Sequence, residues 1–599
     1  MDHRRSLLAA LALALALIAG SSPRVVGDGG EYLAQALNFA SLRGPALDPD
    51  HIPTLQAQVA AADPRLARWH IPTTTVASGD GRRDFDHLWF YALLATPGIW
   101  VTRAAGVNPL FAFALLNLAL LGLALRVALP RLGPATCLLL FGGPIVWWMD
   151  KAHTEGFTFA MLTVAIVLAR ERPWWSLAAA GAAAAQNPPL AAVAGLVFVS
   201  QAIANRPIVR DRRFWAGALA GLALALLHPL YFLWRYHTPS LLMGAGRMGL
   251  PSGALLAATV ADPDIGLVAN FPAFAALFLI ALLVVLRARP RDLASSDVQV
   301  AWIAGLVFLF SAAQAHNVHH GGTPSISRYA IWLVPLAAPF LARAHAIGGA
   351  WWRHASWILA VASAVACGFV FHPRVDENSR EPTALAAYLW TAHPAWNNPL
   401  PEVFSETVLH FDDSWVPVAT AGCEKILIAG RGTWTGVWPL PCYPQPVPAR
   451  CQAPGVLCYA NIAGRHYDFA LAPGPPDPYK LRRESVWAPA SEPHVQQVFN
   501  EWGWSDLRLA APGTGIVDAA TEVDRVWTWA GRDRYLIVIA RPGAGARLAL
   551  RLPHPVSGRL IDAATGSIVQ EIRAEASADG RWELPLPSGF EVLLLAIGG

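Results

Sequence analysis

The stretch "SLLAALALALALIAGSS" (residues 6–22) decides the fold, and "VVGDGGEYLAQALNF" (residues 25–39) follows it almost at once. The first segment carries no charge and is apolar enough to form a membrane helix. The second has a helix-like pattern and places Asp28 and Glu31 at the exit of the first. Ionisable groups at a membrane edge are costly unless they are solvated, paired or used. These carboxylates therefore suggest a site that faces a lipid-borne substrate.

Composition indicates a membrane protein. Of the 599 residues, 54% are apolar and 14% are charged, and the mean hydropathy is +0.38, whereas soluble proteins have about 25% charged residues. The 25 Trp residues are typical of aromatic belts at membrane interfaces. The net charge is only +4, and no basic patch, glycine-rich phosphate loop or paired-cysteine zinc motif is present in the sequence. These features exclude a nucleic-acid-binding protein.

Charge-free runs recur through the first 371 residues and predict about eleven membrane spans. The run at 174–205 is too long for one helix, and "NPP" at 187–189 interrupts it. Because proline disfavours a helix interior, this run predicts two short helices. The charge-free runs are 6–22, 107–125, 133–149, 156–169, 174–205, 214–234, 265–286, 298–315, 329–342 and 355–371.

Arginine-rich loops predict the orientation through the positive-inside rule. Segments such as "RERP" and "NRPIVRDRR" are expected in the cytoplasm together with the N-terminus. Residues 24–106 then form a long outer loop, and everything after residue 372 lies outside. Residues 1–20 predict a signal anchor, with a cleavable signal peptide as the alternative. Either form leaves Asp28 outside.

One segment of the outer loop, "HLWFYALLATPGIWV" (residues 87–101), is apolar enough to span a membrane. A span here would put Asp150 in the cytoplasm and the arginine-rich loops outside. We therefore predict a helix that lies in the outer interface, with an ordinary span as the alternative.

The C-terminal third predicts an extracytoplasmic β-rich part. Short runs with period-two alternation, such as "RYLIVIARPG" and "EVLLLAIGG", are separated by Gly, Pro and Asp. We divide this part into an α/β segment at 372–490, in which "ALAAYLWTAHP" predicts a helix, and a domain at 491–599. The second domain resembles the small β-sandwiches appended to extracellular carbohydrate-active proteins, a likeness of fold from which no function follows.

The 372–490 segment contains a cluster of four cysteines, which suits an oxidising compartment. They are Cys423, Cys442, Cys451 and Cys458. They predict two disulfides, most simply Cys423–Cys442 and Cys451–Cys458, although four cysteines allow three pairings. A zinc site is the alternative.

Four predicted outer segments hold polar side chains that an uninterrupted membrane bundle does not need. Each side chain alone can be a solvated residue, but their placement on one predicted side favours a shared site. The residues are Asp28 and Glu31; Asp84, Asp86 and His87; Asp150, Lys151, His153 and Glu155; and His316, His319, His320 and Arg328.

These residue types suit chemistry on a phosphorylated lipid. Carboxylates from two loops can bind a divalent cation that holds a phosphate, or one of them can act as general base on an acceptor hydroxyl. Arg328 is suited to clamp a phosphate. The histidines of "HNVHH" are metal ligands, phosphate donors or members of a solvated loop. We favour the last two interpretations because no carboxylate accompanies them.

Three motifs carry a resemblance to a known family over residues 1–370. "GDGGEYLAQALNFA" resembles the "GDEPHYL…SL" opening of a bacterial subgroup, "ADPDIGLVANFPAF" its "DP-x-x-GL…P" loop, and "HHGGTPSISRYAIWLVP" its "GG…PRYL…P" segment. The family is the GT-C superfamily of integral-membrane glycosyltransferases that use polyprenyl-phosphate sugars. It includes protein O-mannosyltransferases, aminoarabinose transferases and their bacterial relatives.

The resemblance implies a GT-C-like helical membrane module with a catalytic pair, Asp28 and Asp150. Asp28 is the expected base or metal-organising carboxylate, Asp150 assists it, and Mg²⁺ or Mn²⁺ is the metal they would hold. The expected substrate-binding residues are Glu31, His153, Glu155, Arg328, His319 and His320. The chain departs from the subgroup at Gly29, where the pattern has an acidic residue, and at Glu31, where it has His.

The expected function is an inverting transfer of a sugar from a polyprenyl-phosphate donor to an extracytoplasmic glycan, lipid or protein, at the inner membrane of a bacterium. Two alternatives are a flippase of a lipid-linked intermediate and a non-catalytic anchor for the β-rich domain. A flippase predicts paired charges in mid-membrane and inverted repeats, whereas the charges here lie at the ends of the apolar runs. An anchor needs far fewer spans.

Overall fold

A computed structural model describes residues 3–69, 71–241, 253–312, 323–375 and 382–392, Val403, and a set of strands with adjoining residues between 425 and 598. The chain falls into two compact units, Met1–Ser379 and Arg380–Gly599. The first is almost entirely helical, and the second is built mainly from strands.

The helices of the first unit share one hydrophobic core, to which most of them contribute. Helices of nine residues or more are α1 His3–Ala19, α2 Gly29–Ala40, α3 Ile52–Ala62, α4 Phe90–Ala104, α5 Leu110–Phe141, α6 Glu155–Leu168, α7 Pro173–Gln186, α8 Ala191–Ala204, α9 Arg212–Tyr236, α10 Gly253–Ala261, α11 Pro272–Ala288, α12 Ser296–Ala312, α13 Ala338–Ile347 and α14 Gly349–Val370. Shorter helical turns are Leu267–Asn270 and Arg328–Ile331, together with 3₁₀ turns at Pro49–His51, Pro64–Arg68, Ile71–Thr74, Pro144–Asp150, Pro188–Leu190, Arg206–Arg210, Pro290–Ala294 and Pro335–Ala337.

Four helical segments in the described residues are long and apolar enough to cross a membrane: Leu110–Phe141, Arg212–Tyr236, Arg328–Ile347 and Gly349–Val370. The predicted number of about eleven spans is therefore not supported. The reason is length, since several apolar runs form helices of 14 to 17 residues that end at 3₁₀ turns or prolines. A full span needs about 20 residues.

The predicted runs 107–125 and 133–149 do not form two separate helices. α5 continues through the gap between them, with a kink at Gly133, where φ is 76°. A side chain is excluded there, because a Cβ atom would lie 2.5 Å from the His345 ring. The second run then ends early, in the 3₁₀ turn Pro144–Asp150.

The predicted break at "NPP" is confirmed. α7 ends at Gln186, the 3₁₀ turn Pro188–Leu190 follows, and α8 begins at Ala191. α7 also packs closely against α9 through glycines. A Cβ atom on Gly181 would lie 2.3 Å from the Gly221 carbonyl oxygen. Small residues allow such backbone approach between membrane helices.

Residues 24–106 contain α2, α3, α4 and an antiparallel hairpin of β1 Thr75–Ala77 and β2 Arg83–Phe85. The helix predicted at 87–101 is confirmed as α4. α4 has 15 residues, too few for a full span. It buries one face, which includes Tyr91, Ala95 and Ile99.

The second unit has the predicted β-rich character. It contains α15 Ala384–Ala392 and the strands β3 Lys425–Arg431, β4 Trp434–Leu440, β5 Val456–Ile462, β6 His466–Ala470, β7 Arg508–Leu509, β8 Val526–Ala530, β9 Arg534–Ala540, β10 Arg547–Arg551, β11 Val556–Asp562, β12 Ile568–Ala574, β13 Arg581–Pro585 and β14 Val592–Gly598. They form antiparallel sheets in the orders β4-β3-β5-β6, β12-β11-β14-β9-β8-β7 and β10-β13. The last two sheets enclose one apolar core, with Leu548 and Leu584 on one side and Ile537 and Leu595 on the other.

The structure describes one of the four clustered cysteines. Cys458 lies in β5, and Cys423, Cys442 and Cys451 lie outside the described residues. The two disulfides therefore stay a prediction. Cys137 and Cys367 in the first unit are free and buried.

Candidate functional site

The N-terminus of α2 presents the first two site residues. Asp28 is the residue before the helix, and Glu31 lies in its first turn. Asp28 keeps 22% of its side chain exposed and Glu31 keeps 12%, so Asp28 is the more accessible to a substrate.

Gly29 brings this helix end against the segment before α6. A Cβ atom at position 29 would lie 2.4 Å from the Ala152 carbonyl oxygen. The backbones also meet in a parallel bridge between Arg24 and Lys151. An acidic side chain at position 29 would separate these segments, which gives a physical reason for the departure from the subgroup pattern.

The turn between β2 and α4 contributes Asp86 and His87. His87 Nδ1 lies 3.0 Å from Glu31 Oε2 and 2.9 Å from Asp86 Oδ1, and its Nε2 lies 3.6 Å from Asp28 Oδ2. The imidazole ring is therefore surrounded by three carboxylates.

His153 connects Asp28 to Glu155. Its Nε2 lies 3.9 Å from Asp28 Oδ2, and its Nδ1 lies 3.8 Å from Glu155 Oε1. The His153 ring is 1% exposed and packs against Trp148, with 4.7 Å between ring centroids. Glu155, at the start of α6, accepts a hydrogen bond from the Trp332 indole.

Arg328 joins the cluster from the far end of the helical unit. Its Nη1 donates to Asp28 Oδ2 at 3.2 Å, across 300 residues of sequence. Its Nη2 donates to the Tyr329 hydroxyl at 3.3 Å, and its guanidinium lies 5.1 Å from the centre of that ring. A partly buried arginine beside a carboxylate can exchange that partner for a phosphate, because its planar donors match either group.

Burial and neighbouring charge alter the acid–base properties of the cluster. Burial, followed by the charge of Asp86, raises the pKa of Glu31 to about 8, although His87 opposes this shift. Burial alone would lower the pKa of His87, but Tyr32, Asp28, Asp86 and Glu31 outweigh it and raise that pKa well above its usual value. This raised pKa favours the charged imidazolium form of His87, whose positive charge faces the carboxylates around it.

The same cluster contains a set of atoms that can hold a metal ion. One ligand atom each from Asp28, Glu31 and His87 lies within 4.8 Å of the others. Two carboxylates and an imidazole suit Mn²⁺ better than Mg²⁺, which prefers oxygen ligands only. A bound cation would replace the proton on His87 and supply positive charge between Asp28 and Glu31.

The structure brings together five of the eight predicted site residues: Asp28, Glu31, His153, Glu155 and Arg328. His319 and His320 lie outside the described residues, as does His316.

Asp150 forms an ion pair with its neighbour in the chain. It is 1% exposed, and its carboxylate contacts the ammonium group of Lys151, which is completely buried. Lys151 also donates to the Pro373 carbonyl oxygen at 2.8 Å. The carboxylate of Asp150 thus contacts the adjacent ammonium group, and its catalytic pairing with Asp28 stays a prediction.

The sequence analysis placed Asp86 and His87 among the outer polar residues of a shared site but gave neither of them a specific role. One feature pointed weakly to such a role. Asp86 and His87 lie between two apolar residues, Phe85 and Leu88, which are both buried, at a junction of strand and helix. Tyr32 was missed because it reads as an ordinary apolar position of α2. Its ring makes edge contacts with His87 and His153 at 6.0 Å, and burial raises the pKa of its hydroxyl, which therefore stays protonated.

Comparisons with protein-family models, with curated proteins and with solved structures find no match to this chain.

Proposed function

We propose that this protein is an inverting membrane glycosyltransferase that moves a sugar from a polyprenyl-phosphate donor to an extracytoplasmic acceptor. The observation that carries the proposal is the placement of a partly exposed carboxylate, Asp28, 3.2 Å from the guanidinium of Arg328 at the start of α2. A base for the acceptor and a cationic ligand for the leaving phosphate are thus side by side. The motifs shared with GT-C enzymes add support.

In the proposed mechanism, Asp28 accepts the proton of an acceptor hydroxyl as the acceptor oxygen bonds to the anomeric carbon of the sugar. The bond between that carbon and the phosphate oxygen breaks, and the electron pair leaves with the lipid phosphate. Arg328 turns from Asp28 to this phosphate and stabilises the charge that develops on it. His153 and Glu155 are buried behind Asp28 and support the site from within, and Glu31 and His87 keep the Asp28 carboxylate in position.

The direct test uses the purified full-length protein with labelled polyprenyl-phosphate sugars and crude envelope acceptors. We expect label to pass from the lipid to an acceptor with inversion at the anomeric carbon. Movement of the lipid across vesicles without sugar transfer would instead support the flippase alternative. Absence of both activities with every donor tested would contradict the proposal.

The proposed location is the inner membrane of a bacterium, with the N-terminus in the cytoplasm and the C-terminal unit outside. The four long apolar helical segments support a membrane protein, and the arginine-rich loops support this orientation.

We expect a membrane-impermeant maleimide added from outside to label a cysteine introduced at Ala61, or one near residue 500. Arg210→Cys, on an exposed cytoplasmic turn in this orientation, should be labelled only after permeabilisation. The unsubstituted protein gives the background from its own six cysteines. Labelling of Arg210→Cys in intact cells would overturn the topology.

The proposal includes a divalent cation at Asp28, Glu31 and His87. Mn²⁺ added to the metal-stripped protein should bind at one site, measured by the loss of the free-ion signal in electron paramagnetic resonance. Because Glu31 supplies one ligand, Glu31→Gln should weaken this binding by at least about tenfold. Asp48→Asn is the matched control, since Asp48 pairs with Arg43 and Arg82 at 2.8 Å instead. Equal Mn²⁺ binding by all three proteins would remove the cation from the proposal.

A further inference from the structure

The turn that carries His87 is attached to the end of a long apolar helix, α9. Asp84, three residues before His87, is 4% exposed. Tyr231 donates its hydroxyl to Asp84 Oδ1 at 2.5 Å, Arg235 Nε donates to Oδ2 at 2.6 Å, and the Tyr236 hydroxyl donates to Oδ2 at 2.9 Å. We name these four residues (Asp84, Tyr231, Arg235 and Tyr236) the α9 clamp.

Arg235 also reaches the exposed turn of the β1–β2 hairpin. Its Nη1 donates to Asp80 Oδ2 at 3.0 Å, and its Nη2 donates to Ser78 Oγ at 2.6 Å. Asp80 keeps 50% of its side chain exposed, whereas Asp84 keeps 4%. Arg235 therefore binds both the exposed carboxylate of Asp80 and the buried carboxylate of Asp84. Of the two, Asp84 is the one next to the site.

Further contacts hold the backbone of His87 from two sides. Leu88 is completely buried in a small apolar cluster with Tyr231 and Phe232 of α9. Gln35 of α2 donates to the His87 carbonyl oxygen at 3.1 Å. Between these supports the imidazole ring projects to Asp28 and Glu31.

We propose that the α9 clamp is a positioning device that sets the place of His87 against Asp28 and Glu31. The reason is geometric. His87 Nε2 is 3.6 Å from Asp28 and its Nδ1 is 3.0 Å from Glu31, so a small movement of the turn breaks both contacts. The clamp bonds join α9 to the β1–β2 hairpin, which leads directly into the turn with His87, so the clamp acts through that turn. Its effect on turnover rests on the proposed function, whereas its effect on His87 does not.

The test measures hydrogen–deuterium exchange at the C2 position of the His87 imidazole in the full-length protein by mass spectrometry. Trypsin cleavage after Arg83 and Arg103 releases residues 84–103, in which His87 is the only histidine. Asp84→Asn removes the charge that binds Arg235. Because a lost hydrogen bond between charged groups shifts a local opening equilibrium by about tenfold, we expect exchange at His87 to accelerate by about that factor. Asp80→Asn is the matched control, since it removes only the exposed half of the interaction, and it should leave His87 exchange unchanged.

Turnover with a polyprenyl-phosphate sugar is the second measurement. Asp84→Asn should lower kcat with KM for the donor nearly unchanged, because Arg328 is untouched. Should Asp84→Asn not fold, Tyr231→Phe and Tyr236→Phe each remove one hydroxyl donor, keep the ring packing and are expected to act in the same direction. Unchanged His87 exchange in the folded variants overturns the clamp. Faster exchange in a protein that shows no sugar transfer leaves the clamp standing and counts against the proposed function alone.

Discussion

Replacement of Asp28 by Asn should lower the turnover of glycosyl transfer by about 10²–10⁴-fold, the usual contribution of a positioned general base. Asn has nearly the same shape, so the α2 terminus and its packing against Ala152 are retained. What is lost is the charge that accepts the acceptor proton and that holds Arg328 in place at 3.2 Å. The measurement is the initial rate with labelled donor, on protein whose unfolding temperature matches the wild type.

Two further variants show whether the effect is specific to Asp28. Glu31→Gln should lower the turnover much less than Asp28→Asn does, because the Gln amide can still bond His87 while Asp28 keeps its charge. Asp48→Asn should have no effect on the rate, since Asp48 forms ion pairs with Arg43 and Arg82. Full activity of Asp28→Asn would mean that Asp28 is only a solvated residue at a helix start, and the site assignment would then fail.

The sequence predicted best the features that depend on local pattern. Proline disfavours a helix interior, and two adjacent prolines at 188 and 189 made the break between α7 and α8 predictable, although α4 and α9 each continue through a single proline. The alternation in "RYLIVIARPG" predicted β9, because side chains of a strand alternate between two faces. The number of spans was overestimated because hydropathy measures how apolar a run is, and it does not show where a 3₁₀ turn divides the run.

The site needed tertiary information that local pattern lacks. Arg328 lies 300 residues from Asp28, and it was expected in the site because it lies in a polar outer segment and because arginine suits phosphate binding. His87 was noted as an outer polar residue but received no specific role, because nothing in "RRDFDHLW" shows that its ring turns toward α2. Gly29 looked like the loss of an acidic neighbour, whereas its Cβ-free face is what allows the contact with Ala152. Asp150 was placed in the site on account of its loop, although its partner is the adjacent Lys151.

Asp150→Asn should destabilise the protein by about 3–5 kcal/mol, the usual cost of breaking a buried ion pair. Asp150 is 1% exposed and Lys151 is fully buried. Lys151 would then keep its bond to the Pro373 carbonyl and its position 4.8 Å from the Trp147 ring, but it would lose the ion pair with Asp150. The measurement is the free energy of unfolding of the detergent-solubilised protein. Turnover per folded molecule should fall far less than in Asp28→Asn.

A double variant separates a structural role from a catalytic one. Asp150→Asn with Lys151→Met removes both charges, and it should recover most of the lost stability because buried pairs are often replaced by neutral residues at little cost. Asp48→Asn breaks a partly exposed pair and should cost about 0–1 kcal/mol. If the double variant is stable but as slow as Asp28→Asn, Asp150 has a catalytic role that its place beside Lys151 does not explain. If it is stable and active, the Asp150–Lys151 pair serves to hold the segment leading to His153 against the chain at Pro373.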